Sequence, residues 1–285
     1  AIRLKNFINT SASAGEKVHL VGHSMGGLVG RSYLVNEQTN NKLSKFMTVG
    51  SPHQGLPLAY PAWSAGEIWQ DDYLTRIAAT LLVKSCELYQ GQVNDRIAIQ
   101  ENIPSTQNLL PMFDYLKDYL TGLIKPENKM HARNNWASTA PLVPPFYGVT
   151  LGTLSGNEYK TLNIIDVINR NKIDEYLGNW EDGKPKNKKY SQLGDGTVLL
   201  SSSQVSGSSY SAVIKQSHNN LVSSQEGISQ INNFLKTAST SAESSLTAFV
   251  ESTSALLIVG DPSDFWITDT NGKIMKDKDC IVIIN

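Results

Sequence analysis

The sequence predicts an α/β fold, a mostly parallel sheet with flanking helices and an inserted helical lid. Three observations carry this expectation. An apolar, β-branched run, Lys17 to Val21, enters the turn Gly22-His23-Ser24-Met25-Gly26 and leaves into a helix-patterned segment, Leu28 to Val35. A second run, Ser44 to Gly50, comes at the spacing of a strand–helix–strand crossover. Late in the chain come two more runs, Pro145 to Gly152 and Ser211 to Gln216. Ile228, Ile231, Phe234 and Leu235 then repeat at helical spacing.

The chain has 285 residues, enough for a full core. Its 25 basic and 26 acidic residues nearly cancel, so neither nucleic acid nor an anionic surface is indicated as a general partner. Cys86 and Cys280 are the only cysteines; two so far apart suggest neither a zinc site nor a disulfide framework. The longest apolar runs are too short to span a bilayer.

The turn at Ser24 has the chemistry of a nucleophile. A serine at the apex of a sharp strand-to-helix turn lifts its hydroxyl clear of the backbone, and Gly22 and Gly26 give it room. The helix after it points its first N–H groups at the serine, where they favour developing negative charge. Two other glycine-loop readings fail. Gly22 and Gly27 have the outer spacing of a P-loop, but Leu28-Val29 stand where lysine and a hydroxyl are needed. A dinucleotide fingerprint needs glycine where Ser24 stands.

A serine needs a base and an acid that orients the base. Asp195 lies on a Gly194-Asp195-Gly196-Thr197 turn, and His218 comes after the last strand, so nucleophile, acid and histidine occur in a familiar chain order. The rival acid, Asp166, lies in an apolar run without a turn. Among the other histidines, His19 falls inside the elbow strand and His131 in the lid. His23 adjoins Ser24 but points to the opposite face, and His53 sits on the turn after the next strand. The expected chemistry is attack of Ser24 on an ester carbonyl with His218 as base, Asp195 as its partner and the Met25 N–H as one oxyanion donor.

The remaining segments set the expected organisation. Residues 1–237 form the α/β domain. Residues from about 56 to 145 form its lid, with one or two amphipathic helices through Trp63, Trp69, Tyr73, Leu74, Ile77, Leu81, Leu82, Leu88 and Tyr89 and another beginning at Leu109. Its apolar underside would shape a greasy pocket and could meet a lipid surface. Lys184 to Lys189 reads as a solvated loop. Residues 238–245 read as a linker and 246–285 as a small antiparallel β module. The elbow strand starts only some twenty residues in, so the expectation is that earlier strands and a second oxyanion donor precede Ala1. Lys17 to Gly22 would then lie at an open edge with Val18 and Leu20 exposed.

The run Val21 to Val29, with Val49-Gly50-Ser51-Pro52-His53-Gln54-Gly55, resembles lipases of the α/β-hydrolase superfamily. Pro104-Ser105, Leu109-Leu110-Pro111, Trp180-Glu181-Asp182-Gly183 and the Gly-Asp-Gly-Thr turn are similar to its lecithin:cholesterol acyltransferase-like branch. The resemblance covers about residues 1 to 237. It implies an α/β-hydrolase fold, an acyl-ester substrate, often lipid, no metal or organic cofactor, and a triad of Ser24, Asp195 and His218. It also implies an extracellular or cell-envelope location. Acyl transfer to an alcohol and a non-catalytic binding module are the alternatives; labelling of Ser24 by a fluorophosphonate separates the second of these from an enzyme.

Overall fold

A computed structural model describes residues 1–12, 15, 17–69, 83–84, 91, 94–137, 146–236 and 256–259, the last as backbone. In chain order the elements are α1 (Ile2–Ser11), β1 (Val18–His23), α2 (Met25–Glu37), β2 (Leu43–Val49), α3 (Ala59–Ala65), α4 (Asp95–Asn102), β3 (Leu116–Asp118), β4 (Ile124–Lys125), β5 (Thr150–Gly156), β6 (Thr161–Ile168), α5 (Lys172–Tyr176), β7 (Lys184–Ser191), α6 (Leu200–Ser203), β8 (Tyr210–Ile214), α7 (Asn220–Ser223), α8 (Gln225–Lys236) and β9 (Leu256–Val259). The lid positions Tyr73 to Leu82, Leu88 and Tyr89 lie outside the described residues. So do both cysteines, the linker and most of 246–285. The chain divides into two compact units: Ala1–His53 with Ala140–Tyr159 and Ser203–Asn285, and Gln54–Thr139 with Lys160–Ser202.

The first unit is built on a five-stranded sheet in the order β8-β5-β2-β1-β9, with every pairing parallel. Parallel strands need covering on both faces, and alternate side chains supply both. Leu20, Phe46 and Leu151 pack on one face with Leu4 and Ile8 of α1 and Tyr33 and Leu34 of α2. Val21, Met47 and Leu154 pack on the other with Leu221 of α7 and Ile231 and Phe234 of α8. Lys45, buried on β2, donates to the carbonyls of Phe234 (3.2 Å) and Leu235 (2.5 Å). A cation thus meets the carbonyl-rich end of α8 and ties that helix to the sheet.

Two expectations fail in this unit. The elbow strand is not an open edge: His19 to Gly22 pair with Leu256 to Val259 on one side, and β2 lies on the other. Val18 and Leu20 are accordingly buried. The described part of the tail therefore extends the main sheet. The third strand starts at Thr150 rather than Pro145, because Phe146 (φ 52°), Tyr147 (φ 55°) and Gly148 (φ 79°) are left-handed, which strand pairing cannot accommodate.

The second unit has its own four-stranded sheet, β4-β3-β6-β7, in which β3 pairs parallel to β6 and the other pairings are antiparallel. Tyr60, Tyr115, Leu116, Ile165 and Trp180 form its core, and the Tyr60 hydroxyl donates to the Gly183 carbonyl at 2.6 Å. The described part of the expected helical lid thus contains strands as well as helices. The helix expected from Leu109 does not form. Leu109 ends a 3₁₀ helix and Leu110 is extended (φ −61°, ψ 144°), as a residue before proline favours, and Leu116 opens β3. The lysine-rich stretch is not a loop but the strand β7, exposed from Lys186 to Tyr190 and buried nowhere along its length. Its alternation of lysines with polar residues lacks the apolar period that marks a strand in sequence; lysines at the end of a sheet discourage further pairing. Cross-strand Lys189 meets Asp166 at 2.8 Å, and Lys184 meets Asp174 at 2.9 Å.

Candidate active site

The end of β1 and the start of α2 make the elbow. Ser24 has φ 53° and ψ −127°, a region a non-glycine residue rarely occupies, costing roughly 1–3 kcal/mol. The surroundings hold it there. The Ser24 N–H donates to the Val49 carbonyl at 2.9 Å, and the Gly27 N–H donates to the Ser24 carbonyl at 3.1 Å. Strand and helix approach so closely that a Cβ on Gly22 would lie 2.7 Å from the Gly27 backbone and 2.9 Å from the Gly26 carbonyl carbon. A Cβ on Gly27 would lie 1.9 Å from Ser51 Oγ, which itself donates to the Gly22 carbonyl at 3.2 Å. Gly27 and Ser51 thus belong to the elbow as closely as the expected Gly22 and Gly26.

His218 sits between β8 and α7, where Gln216 N–H to Ile214 O (3.0 Å) and Leu221 N–H to Ser217 O (3.1 Å) fix the turn. Its Nε2 lies 2.9 Å from Ser24 Oγ. Two residues 194 positions apart in sequence are therefore within hydrogen-bond reach. Both residues are half-buried. Met25 opens α2, so its N–H belongs to the first-turn donors that the helix itself does not use.

Asp195 belongs to the second unit and is buried there. Its Oδ1 accepts from the N–H groups of Thr197 (2.9 Å) and Val198 (2.7 Å). The Gly196 N–H donates to Thr161 Oγ1 at 2.8 Å, pinning the turn to β6. Its rival Asp166 is engaged by Lys189. His131 Nδ1 lies 3.2 Å from Asp182 Oδ1, and that carboxylate also accepts from the backbone of His131 and Ala132.

His23 has a role that sequence reasoning missed. It is buried, its Nε2 donates to the backbone carbonyl of His218 at 3.1 Å, and the two rings lie 4.8 Å apart at 40°. The signal was its place beside Ser24, since whatever anchors the base must approach the nucleophile. His53, on the turn after β2, is buried, and neither ring nitrogen has a hydrogen-bond partner among the described residues. Burial, with the Arg31 charge adding to it, lowers its pKa to about 3. Arg31, itself buried and lowered to about 10 by burial, donates to the His53 carbonyl at 2.9 Å and so ties α2 to the turn after β2.

A family model described as PGAP1-like alpha/beta domain matches residues 1–70, which include β1, Ser24, α2 and β2. Among solved structures the chain is similar to the mature form of the lipase BlEst2 from Bacillus licheniformis, with 16% identity and a TM-score of 0.40 over 82% of this chain and 69% of that one. Against the propeptide form the values are 15% and 0.42, over 86% of this chain and 41% of that one. Comparison with curated proteins finds no match.

Proposed function

We propose that the chain is a serine hydrolase that cleaves carboxylic esters of fatty acyl groups, working through a Ser24–His218–Asp195 triad and an acyl-enzyme intermediate. The observation that carries this reading is the 2.9 Å approach of His218 Nε2 to the hydroxyl of a serine held at φ 53°. With its proton on Nδ1, the imidazole accepts the Ser24 proton as Oγ attacks the ester carbonyl. The Met25 N–H and the N-terminal end of α2 stabilise the oxyanion. The imidazolium then returns its proton to the leaving alkoxide. Water repeats the sequence to release the acid and regenerate Ser24.

Asp195 is the proposed partner of His218 Nδ1–H. Its burial, and a turn that holds the carboxylate by two backbone N–H groups, support the assignment. A fatty acyl ester is favoured by the likeness of the elbow and the Gly-Asp-Gly-Thr turn to lipid-ester hydrolases. No residue in this mechanism needs a metal or an organic cofactor. The test is covalent labelling by a fluorophosphonate with the modified peptide identified, together with hydrolysis of p-nitrophenyl esters of graded chain length. Labelling at Ser24, lost in Ser24→Ala, is expected; a full chain that neither labels nor turns over any ester refutes the reading.

A further inference from the structure

Asp195 stands on a turn built against the start of β6. In the antiparallel pair of β6 and β7, Thr161, the first residue of β6, lies opposite Ser191, the last of β7. The chain therefore leaves β7 beside Thr161 and enters the loop that carries Asp195. In that loop the Asp195 N–H donates to the Val198 carbonyl at 3.1 Å, the Leu200 N–H donates to the Leu193 carbonyl at 3.0 Å, and Gly194 bridges antiparallel to Leu199. The Thr197 and Val198 N–H groups converge on one carboxylate oxygen, Oδ1. These bonds close the turn on itself.

Contacts of another kind tie the turn to the sheet, and one side chain makes them. Thr161 Oγ1 accepts from the Gly196 N–H at 2.8 Å. On the other side of Asp195, a Cβ on Gly194 would lie 2.5 Å from Thr161 Oγ1 and 2.8 Å from Thr161 Cβ. Gly194 thus lies directly against the threonine. Gly196 has φ 97°, a backbone conformation that a side chain disfavours. The residues before and after the carboxylate therefore rest on the same side chain, and each has a reason to be glycine.

That side chain is a fixed point. Thr161 is fully buried, and a β-branched residue has little χ1 freedom. Without its acceptor the Gly196 N–H must find another partner, in water or by a shift of the turn. Asp195 belongs to the same turn, so such a shift carries its carboxylate along. Catalytic geometry is unforgiving on this scale: a misplacement of about 1 Å can cost about 10²-fold in rate.

We propose that Thr161 is a positioning residue for Asp195. It fixes the carboxylate through the glycines on either side and acts on the reaction only in that way. Its effect on rate rests on the Ser24–His218–Asp195 reading; its hold on the turn is measurable without any turnover.

The test uses the full chain with T161V, which keeps size and branching but offers no acceptor, and with T161S, which keeps the acceptor. The first readout is amide hydrogen exchange. The Gly196 N–H is expected to be protected in the wild type, to exchange at least about tenfold faster in T161V and to stay within about threefold of the wild type in T161S. The Met47 and Leu154 amides of the main sheet should keep their rates. The second readout is hydrolysis of a p-nitrophenyl ester. In T161V kcat is expected to fall roughly tenfold to a hundredfold with KM unchanged, and T161S should restore it. In an Asp195→Asn background T161V is expected to cost less than about twofold more, because nothing is left to position. The inference is overturned by an unprotected Gly196 N–H in the wild type, by exchange in T161V that equals the wild type's or rises alike at Met47 and Leu154, or by losses that multiply in the double variant. A chain that hydrolyses nothing, or an Asp195→Asn variant as active as the wild type, defeats the catalytic reading alone, and exchange at Gly196 still decides this one. Full kcat in T161V beside an impaired Asp195→Asn variant defeats this one alone.

Discussion

The imidazole of His23 donates to the backbone carbonyl of His218 at 3.1 Å, so the residue before the nucleophile anchors the residue proposed to activate it. The sharp turn at Ser24 brings both neighbours to His218, although strand alternation would turn them apart: Ser24 Oγ meets its ring and His23 holds its main chain, with the two rings 4.8 Å apart. A donor of similar length should preserve the anchor. His23→Gln is expected to label with a fluorophosphonate within about threefold of the wild-type rate. His23→Met, similar in size but without a donor, should fall about tenfold, the worth of one hydrogen bond, in kcat and not in KM. Equal rates for the two variants would remove the anchor from the mechanism.

Replacement of Asp195 probes the third member of the proposed triad. Asp195→Asn is expected to lower kcat by roughly 10³–10⁴ because His218 would no longer be held in the tautomer that accepts the serine proton. Ser24→Ala should abolish labelling. The rival carboxylate gives the control: Asp166→Asn breaks only the contact with Lys189 and should leave ester turnover unchanged.

Gly22→Ala tests the closeness of the elbow. The new methyl would lie 2.7 Å from the Gly27 backbone, which cannot yield as a side-chain tip could. Destabilisation of about 1–3 kcal/mol or more is expected from overpacking, together with loss of probe labelling as Ser24 is displaced. Thermal unfolding and labelling measure the two effects; an alanine variant with wild-type melting and labelling would contradict this packing.

Acid should unmask His53. An unfolded histidine binds a proton near pH 6.5, whereas folded His53, buried and beside Arg31, does so only near 3. Between these values the unfolded state holds the extra proton. Stability therefore falls as pH drops through the window, by up to about 1.4 kcal/mol per unit. His53→Leu removes this dependence and leaves the carbonyl that accepts from Arg31. Its denaturant midpoint should depend less steeply on pH between these limits, and a slope equal to the wild type's would show that His53 protonates in the fold.

Removal of β9 should expose the backbone of β1. A chain ending at residue 245 would present His19 to Gly22 as an unpaired parallel edge. Such an edge invites pairing with other chains. The shortened chain is expected to scatter light at a lower temperature on heating than the full one; identical behaviour would mean that β9 does not protect the edge.

The sequence alone determined what is local. Apolar periodicity and turn residues marked β1, α2, β2, β8 and α8, and Gly22-His23-Ser24-Met25-Gly26 marked the elbow, because strand, turn and helix are encoded within a few residues of one another. Chain order singled out Asp195 and His218, but nothing local could bring an imidazole across 194 positions to a hydroxyl. That approach was decided by the parallel sheet, whose order sets β8 and β1 in one frame with β5 and β2 between them. Tertiary pairing also decided what periodicity could not. Leu116 became a strand because Ile165 lay opposite, the Lys184–Ser191 segment because β6 did, and Leu256–Val259 because β1 had an edge to give. Backbone hydrogen bonds between distant segments carry no side-chain signature, so only the folded chain reveals them.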